Sequence, residues 1–222
     1  MTKEITAWVK SHKYCLAGLY ALVFLAGFGI LELVEPEPKY YLHSSLDDLI
    51  PFNEYFVIPY FPWYAWIPFF FLYFMLKDKD SFLRYNFLIF AGGTVCLFIY
   101  AIWPNGLELR QEITSHNICA WIVKTIRSID PPCNVCPSIH VSSTVAAHMV
   151  VIRYQDFKHS RLIKALSWIL VFLIPVSTLF IKQHSVIDVF WGLVLSLVMA
   201  LIWEIIRRSP VGGRFLSENV QK

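Results

Sequence analysis

Charge is what this chain has least of. Of its 222 residues only 16% are Asp, Glu, Lys or Arg, and 57% are hydrophobic. Soluble globular chains run near 45–50% apolar and about 25% charged. With 17% aromatic residues and a mean hydropathy of +0.54, the composition is too apolar to hide inside one ordinary core. The 19 Lys+Arg against 16 Asp+Glu include no basic block, which argues against a nucleic-acid partner. Gly-rich nucleotide loops, clustered metal-binding carboxylates, internal repeats and Gly/Ser linkers are missing too. The five cysteines make no disulfide framework. Cys15 and Cys96 fall in apolar runs and act as small hydrophobes. Cys133-Asn-Val-Cys136 has redox-motif spacing without the βαβ surroundings such a motif needs.

What the chain does have is long apolar runs, six of them, at about 14–34, 55–76, 84–103, 138–154, 162–181 and 185–206. A run of about 20 apolar residues is the length that crosses a hydrocarbon core of roughly 30 Å. The expected fold is therefore all-α, an integral membrane bundle of six transmembrane helices forming a single domain over 1–222. The first run follows Lys3, Lys10 and Lys13 as a signal peptide would. It is longer than an ordinary apolar region of that kind, ends in Glu32 and Glu35 and offers no small-residue cleavage site, so a retained helix is expected. The second run carries Pro59, Pro62 and Pro68 among twelve aromatic residues, tolerable where neighbours satisfy the freed carbonyls. The fourth is the most polar, with Ser138, His140, Ser142, Ser143, Thr144 and His148.

Orientation follows from Lys and Arg, which gather on cytoplasmic loops. With the N-terminus inside, 14 of the 19 fall on cytoplasmic segments, Lys3, Arg214 and Lys222 among them, and Lys39, Arg110, Lys124, Arg127 and Lys182 remain outside. Both termini are thus expected in the cytoplasm, with 35–54, 104–137 and 182–184 outside. The long outer segment 104–137 is of a length that usually serves function. Residues 118–129 read as a short interfacial helix, ended by Asp130-Pro131-Pro132.

Ionisable groups near membrane depth are costly and are paired or functional. Three clusters converge on the expected outer face. Arg110 offers a permanently charged planar fork suited to phosphate oxygens, or is an exposed loop arginine. Pro137-Ser138-Ile139-His140 opens the fourth run, where a helix N-terminus with a hydroxyl makes an anion site and His140 could protonate a leaving group. The alternative is a histidine satisfied by neighbouring helices, the role expected for His148. Ser177-Thr178, then Lys182-Gln183-His184 and Asp188, bridge into the sixth run. His184 and Asp188 are four apart and share a helix face. A carboxylate on one imidazole nitrogen makes the other a better nucleophile, unless the pair is only structural. An anion-binding arginine, a Ser/His helix start and a His/Asp pair together are the parts of phosphoryl transfer through a phosphohistidine.

These residues resemble the type-2 phosphatidic acid phosphatase superfamily. Its motifs are Lys-x6-Arg-Pro, Pro-Ser-Gly-His and Ser-Arg-x5-His-x3-Asp, and here stand Arg110-Gln111, Pro137-Ser-Ile-His140 and Ser177-Thr178-x5-His184-x3-Asp188. The resemblance covers roughly 100–192, in order. It implies that His184 attacks phosphorus without a metal or other cofactor, Asp188 orients it, and His140 protonates the departing oxygen. Arg110, Ser138 and Ser177 would hold the phosphoryl group. Trp103 stands where the first motif has lysine, Gln111 where it has proline, and Thr178 where the third has arginine. Lys182, four residues past Thr178, is expected to supply a cation there if the helix continues. Ile139 in place of glycine resembles the branch of headgroup transferases. The implied activity is hydrolysis of a lipid phosphate or pyrophosphate at the outer face of a plasma membrane. Transfer of a phosphate-containing headgroup to a lipid alcohol, or silent lipid binding or transport, are the alternatives.

Overall fold

A computed structural model describes residues 8–34 and 37–210. Lys3, Glu35, Arg214 and Lys222, which entered the orientation argument and the reading of the first run, lie outside the described residues. The chain is mostly helical, as the periodicity requires. Five helices are long and apolar enough to cross a membrane: α1 (Lys13–Val34), α3 (Glu54–Lys77), α4 (Lys79–Ile102), α7 (Ser160–Phe180) and α8 (Val186–Arg208). Their exposed faces are apolar, with Leu33, Phe98, Ile102, Phe172 and Leu201 all more than 60% exposed, which in water would be untenable and in lipid is ordinary.

The fourth apolar run departs from expectation. It forms α6 (Ile139–Val151), only 13 residues, which at 1.5 Å per residue is about 20 Å and short of a hydrocarbon core. Its polarity has a packing reason. α6 is enclosed by α7, α8, α4 and α3, and nearly every residue from Val141 to Val151 is buried. Its hydroxyls turn inward: Ser143 and Thr144 bond the preceding turn's carbonyls at 2.6 Å, and His148 Nδ1 meets Ser167 Oγ at 2.9 Å. α6 is the axis of the bundle.

Between the long helices lie shorter elements: β1 (Tyr40–Tyr41), α2 (Ser45–Leu49), β2 (Asn105–Gly106) and α5 (Ile118–Ile129). α5 has the bounds read from the sequence; Asn117 caps it and it ends at Asp130. β1 and β2 pair in parallel, Tyr40 with Asn105 and Tyr41 with Gly106, and Gly106 also bridges Cys133. A Cβ on Gly106 would sit 2.5 Å from Pro38 Cγ and 2.6 Å from the Pro132 carbonyl, so only glycine lets the strands close. Asn105, 1% exposed, accepts from Val135 N–H at 3.0 Å and Cys136 N–H at 2.8 Å and donates to the Cys136 carbonyl at 3.2 Å. It holds the loop leading into α6. Cys133 and Cys136 are both buried, and burial pushes the Cys136 thiol up to about 12.

Candidate functional site

α6 and α8 begin side by side. Ser138 N–H donates to the Asp188 carbonyl at 3.1 Å. Gly192, one turn further along α8, lets the helices touch: a Cβ there would lie 2.8 Å from the Ser138 carbonyl. α8 starts with a reciprocal cap. Ser185 Oγ accepts from Ile187 N–H at 3.1 Å, and Asp188 Oδ2 accepts from Ser185 N–H at 2.8 Å. The same Asp188 oxygen accepts from His184 Nδ1 at 3.3 Å. Capping the helix and orienting the imidazole are therefore one arrangement. Asp188 is wholly buried, and its Oδ1 has no partner among the described residues.

The remaining nitrogen of His184 points at His140: Nε2 lies 3.3 Å from His140 Nδ1. His140 Nε2 in turn meets Tyr60 Oη at 2.8 Å. Trp63 covers the ring at 4.4 Å between centroids and donates from its indole to Ser143 Oγ at 2.8 Å. One line thus runs Asp188–His184–His140–Tyr60 across α8, α6 and α3.

His184 and His140, the middle of this line, face a cavity of about 360 Å³, with Asp188 and Tyr60 set behind them. Gln183, Asp130 and Tyr64 join the histidines there, and α1 contributes Phe24, Leu25 and Phe28. A larger space, about 440 Å³, lies at the opposite ends of the same helices among Arg84, Arg153, Glu204 and Arg207. No histidine or cysteine is among its lining residues. The three arginines there share one carboxylate.

Arg110 stands behind Gln183, which accepts a short hydrogen bond from Arg110 Nη2 and donates through Nε2 to Asp130 Oδ2 at 3.2 Å. Burial lowers the Arg110 pKa, opposed by Asp130 nearby. Burial likewise holds Asp130 above the usual carboxylate range, against the pull of His184 and Arg110. Arg110 Nε is buried and unpartnered among the described residues, so its fork has donor capacity left for an anion.

Other residues singled out in the sequence have different engagements. Ser138 is the N-cap of α6, its Oγ accepting from Val141 N–H at 3.3 Å. Ser177 is fully buried and donates to the Leu173 carbonyl of its own helix. Lys182 is the clear departure. α7 stops at Phe180, and Lys182 takes a left-handed backbone with φ 57°, so the helical reach expected from Thr178 does not occur. Its Nζ donates instead to the carbonyls of Asp47 at 2.8 Å and Ile50 at 2.5 Å. Burial lowers its pKa, opposed by Asp47 and Asp48.

Asp47 was invisible to the motif reading although the cap that carries it, Ser44-x-x-Asp47, is a sequence signal. It is 2% exposed. It accepts from Ser44 N–H at 2.9 Å, Ser185 Oγ–H at 2.6 Å and Val186 N–H at 2.9 Å. The short helix α2 thereby grips the start of α8 beside His184. Tyr60, Trp63 and Gln183 also went unread. Tyr60 and Trp63 lie in an aromatic-rich run where no spacing distinguishes them.

The site is thus a histidine pair, His184 buried and His140 half-buried, backed by a buried carboxylate on a cavity inside a bundle of apolar helices. Residues 121–209 match the family model of the PAP2 superfamily, which is the superfamily the motifs resemble. That stretch contains Ser138, His140, Ser177, Lys182, His184 and Asp188, while Arg110 precedes it. Members are phosphatases acting on phosphate esters. Comparison with curated proteins and with solved structures gave no match.

Proposed function

We propose that the protein is a membrane lipid-phosphate phosphohydrolase working through a phosphohistidine. The observation that carries this is the alignment of Asp188, His184 and His140 at 3.3 Å and 3.3 Å, with the two histidines on the cavity wall. Asp188 holds the Nδ1 proton of His184, leaving Nε2 as the nucleophilic lone pair. Nε2 attacks phosphorus and the P–O bond to the lipid breaks. His140 gives a proton to the departing oxygen, and water then resolves the phosphohistidine. A phosphoryl group cannot fit between nitrogens 3.3 Å apart, so the two rings part as substrate enters. Arg110 is the counter-charge, reaching the phosphoryl oxygens as Gln183 shifts. Ser138 supports the anion through the α6 start it caps. Nucleophile, acid and counter-charge are all side chains, so the route calls on no metal.

The substrate is a lipid phosphate or pyrophosphate, because the cavity joins these polar groups to an apolar wall from α1. The chain crosses the membrane six times in this reading, with α6 reaching across within the bundle. The basic ends of α4 and α8 lie in the cytoplasm and the site faces the outer side of a plasma membrane. One feature favours a second acceptor: Ile139, in the position of the motif glycine, lines the cavity, and a lipid alcohol in place of water would make the protein a headgroup transferase.

The experiment is turnover of a panel of lipid phosphates and pyrophosphates by purified protein in mixed micelles. It is run without added metal, with and without a lipid alcohol, with His184→Ala as control. Free phosphate lost in the variant is the expected result. Product that appears only with the alcohol assigns the transferase. Equal phosphate release from wild type and His184→Ala overturns the reading.

A further inference from the structure

The mechanism above gives His140 a proton to deliver but leaves open which nitrogen delivers it. We infer that Tyr60 settles this: it is a positioning residue that engages His140 Nε2 and so reserves Nδ1 for proton delivery to the leaving oxygen. The inference rests on the phosphohydrolase reading and adds a residue that its motifs do not contain.

Three observations support it. Tyr60 is wholly buried and its hydroxyl lies 2.8 Å from His140 Nε2, while the other nitrogen, Nδ1, is the one that faces His184. Trp63 lies against the ring, which blocks the flip that would exchange the two nitrogens. Tyr60 Oη also lies 3.4 Å from Tyr64 Oη, and Tyr64 is on the cavity wall. The hydroxyl can thus accept from His140 Nε2–H and donate its own proton to Tyr64.

The proton balance is closed. His140 is neutral in the empty site; the anionic phosphate brings in a proton from solvent as it binds, so that His140 enters the step as the imidazolium, with one proton on each nitrogen. As His184 Nε2 bonds to phosphorus and the P–O bond breaks, the Nδ1 proton passes to the leaving oxygen. His140 is left neutral, its remaining proton on Nε2 and donated to Tyr60. Water attacking the phosphohistidine returns a proton to Nδ1. Tyr60 neither gains nor loses a proton. Its work is to accept from Nε2–H in both states, a bond that this half-buried imidazole, covered by Trp63, could not leave unmade without penalty.

A leaving group's need for an acid separates this role from simple packing. An alkoxide departs poorly unless protonated, whereas 4-nitrophenolate departs without help. Purified full-length protein is assayed as wild type, Tyr60→Phe and His140→Ala on dioctanoyl phosphatidic acid and on 4-nitrophenyl phosphate. The expected result for Tyr60→Phe is a kcat about 10- to 100-fold lower on the lipid, with KM nearly unchanged. On the aryl ester its loss is below about threefold, and His140→Ala follows the same pattern more deeply. Equal losses on both esters, or none on either, overturn the inference. A second arm needs no turnover: 15N spectra of histidine-labelled protein, with His140→Ala assigning the signals. Wild type is expected to show a proton on Nε2 of His140 that Tyr60→Phe redistributes, and identical His140 spectra in the two proteins overturn the assignment. Wild-type protein that cleaves neither ester refutes the phosphohydrolase reading, and the spectra still decide Tyr60.

Discussion

Asp47 provides a sharp test of whether the 44–50 segment builds the site. Its carboxylate accepts three hydrogen bonds at 2.9, 2.6 and 2.9 Å, two of them from Ser185 and Val186 at the start of α8. Truncation to alanine leaves those donors without it. A buried orphaned donor costs about 1–3 kcal/mol, and a lost acidic group at a helix N-terminus about 0.3–1 kcal/mol more. Ser185 Oγ still accepts from Ile187 N–H, so the total falls below the sum of maxima, at about 3 kcal/mol. Asparagine keeps one acceptor oxygen and should lose about 1 kcal/mol. Because His184 adjoins Ser185, the catalytic geometry loosens too, and misplacement of about 1 Å can reduce turnover by up to about 100-fold. The assay is thermal unfolding in micelles followed by tryptophan fluorescence, with phosphate release measured well below the transition. Asp47→Ala is expected to unfold first, then Asp47→Asn, then wild type, with kcat falling in the same order. Unfolding and turnover of Asp47→Ala equal to wild type would refute the reasoning.

Arg110→Ala should lower kcat/KM by about 100-fold through loss of a charge-assisted contact to the phosphoryl oxygens, with Arg110→Lys recovering little of it because a planar fork is lost; steady-state kinetics on both variants check this. Lys182→Ala should destabilise the fold, since its Nζ holds two carbonyls of the 44–50 segment, while KM changes by less than about threefold; a large KM rise with unchanged thermal unfolding would place Lys182 on the phosphate instead. Asp130→Asn tests a pH dependence. Burial raises the folded-state pKa of Asp130, so the folded chain takes up that proton before the unfolded chain does. The wild-type carboxylate therefore costs stability at neutral pH, and the cost fades as pH falls through the raised value toward 3.8. Asp130→Asn should unfold at a higher temperature than wild type near pH 7, with the gap narrowing as the solution is acidified.

Much of the fold was legible because membrane burial leaves a coarse signal. Five of the six apolar runs became long apolar helices, and α5 fell on the residues that its periodicity marked. The fourth run could be read as apolar but not as short. Its length is set where the chain turns after Val151, and its polar residues reflect enclosure by other helices, which periodicity in one segment cannot report. Within the site, His184 and Asp188 were legible because four-residue spacing on a helix fixes their relation, and the contact of His140 with His184 followed from placing both at one face. For Lys182 the reach toward Thr178 rests on a helix that continues, and the helix stops at Phe180 with a positive φ at Lys182. Gln183 between Arg110 and Asp130, Tyr60 on His140 and Asp47 on α8 are bonds across 53 to 139 positions of sequence. Nothing in a single sequence pairs such positions. The cap at Ser44 was visible, but not the distant helix it serves.

The most direct measurement is whether phosphorus becomes bonded to His184. Wild-type protein is mixed with a 32P-labelled lipid phosphate, quenched within milliseconds in alkaline detergent, digested, and its peptides mapped by mass spectrometry. The account predicts an acid-labile, alkali-stable phosphoryl group on His184 that is absent from His184→Ala and persists longer in water-poor micelles. Steady phosphate release with no adduct at any time point, or an adduct on another residue, would contradict it.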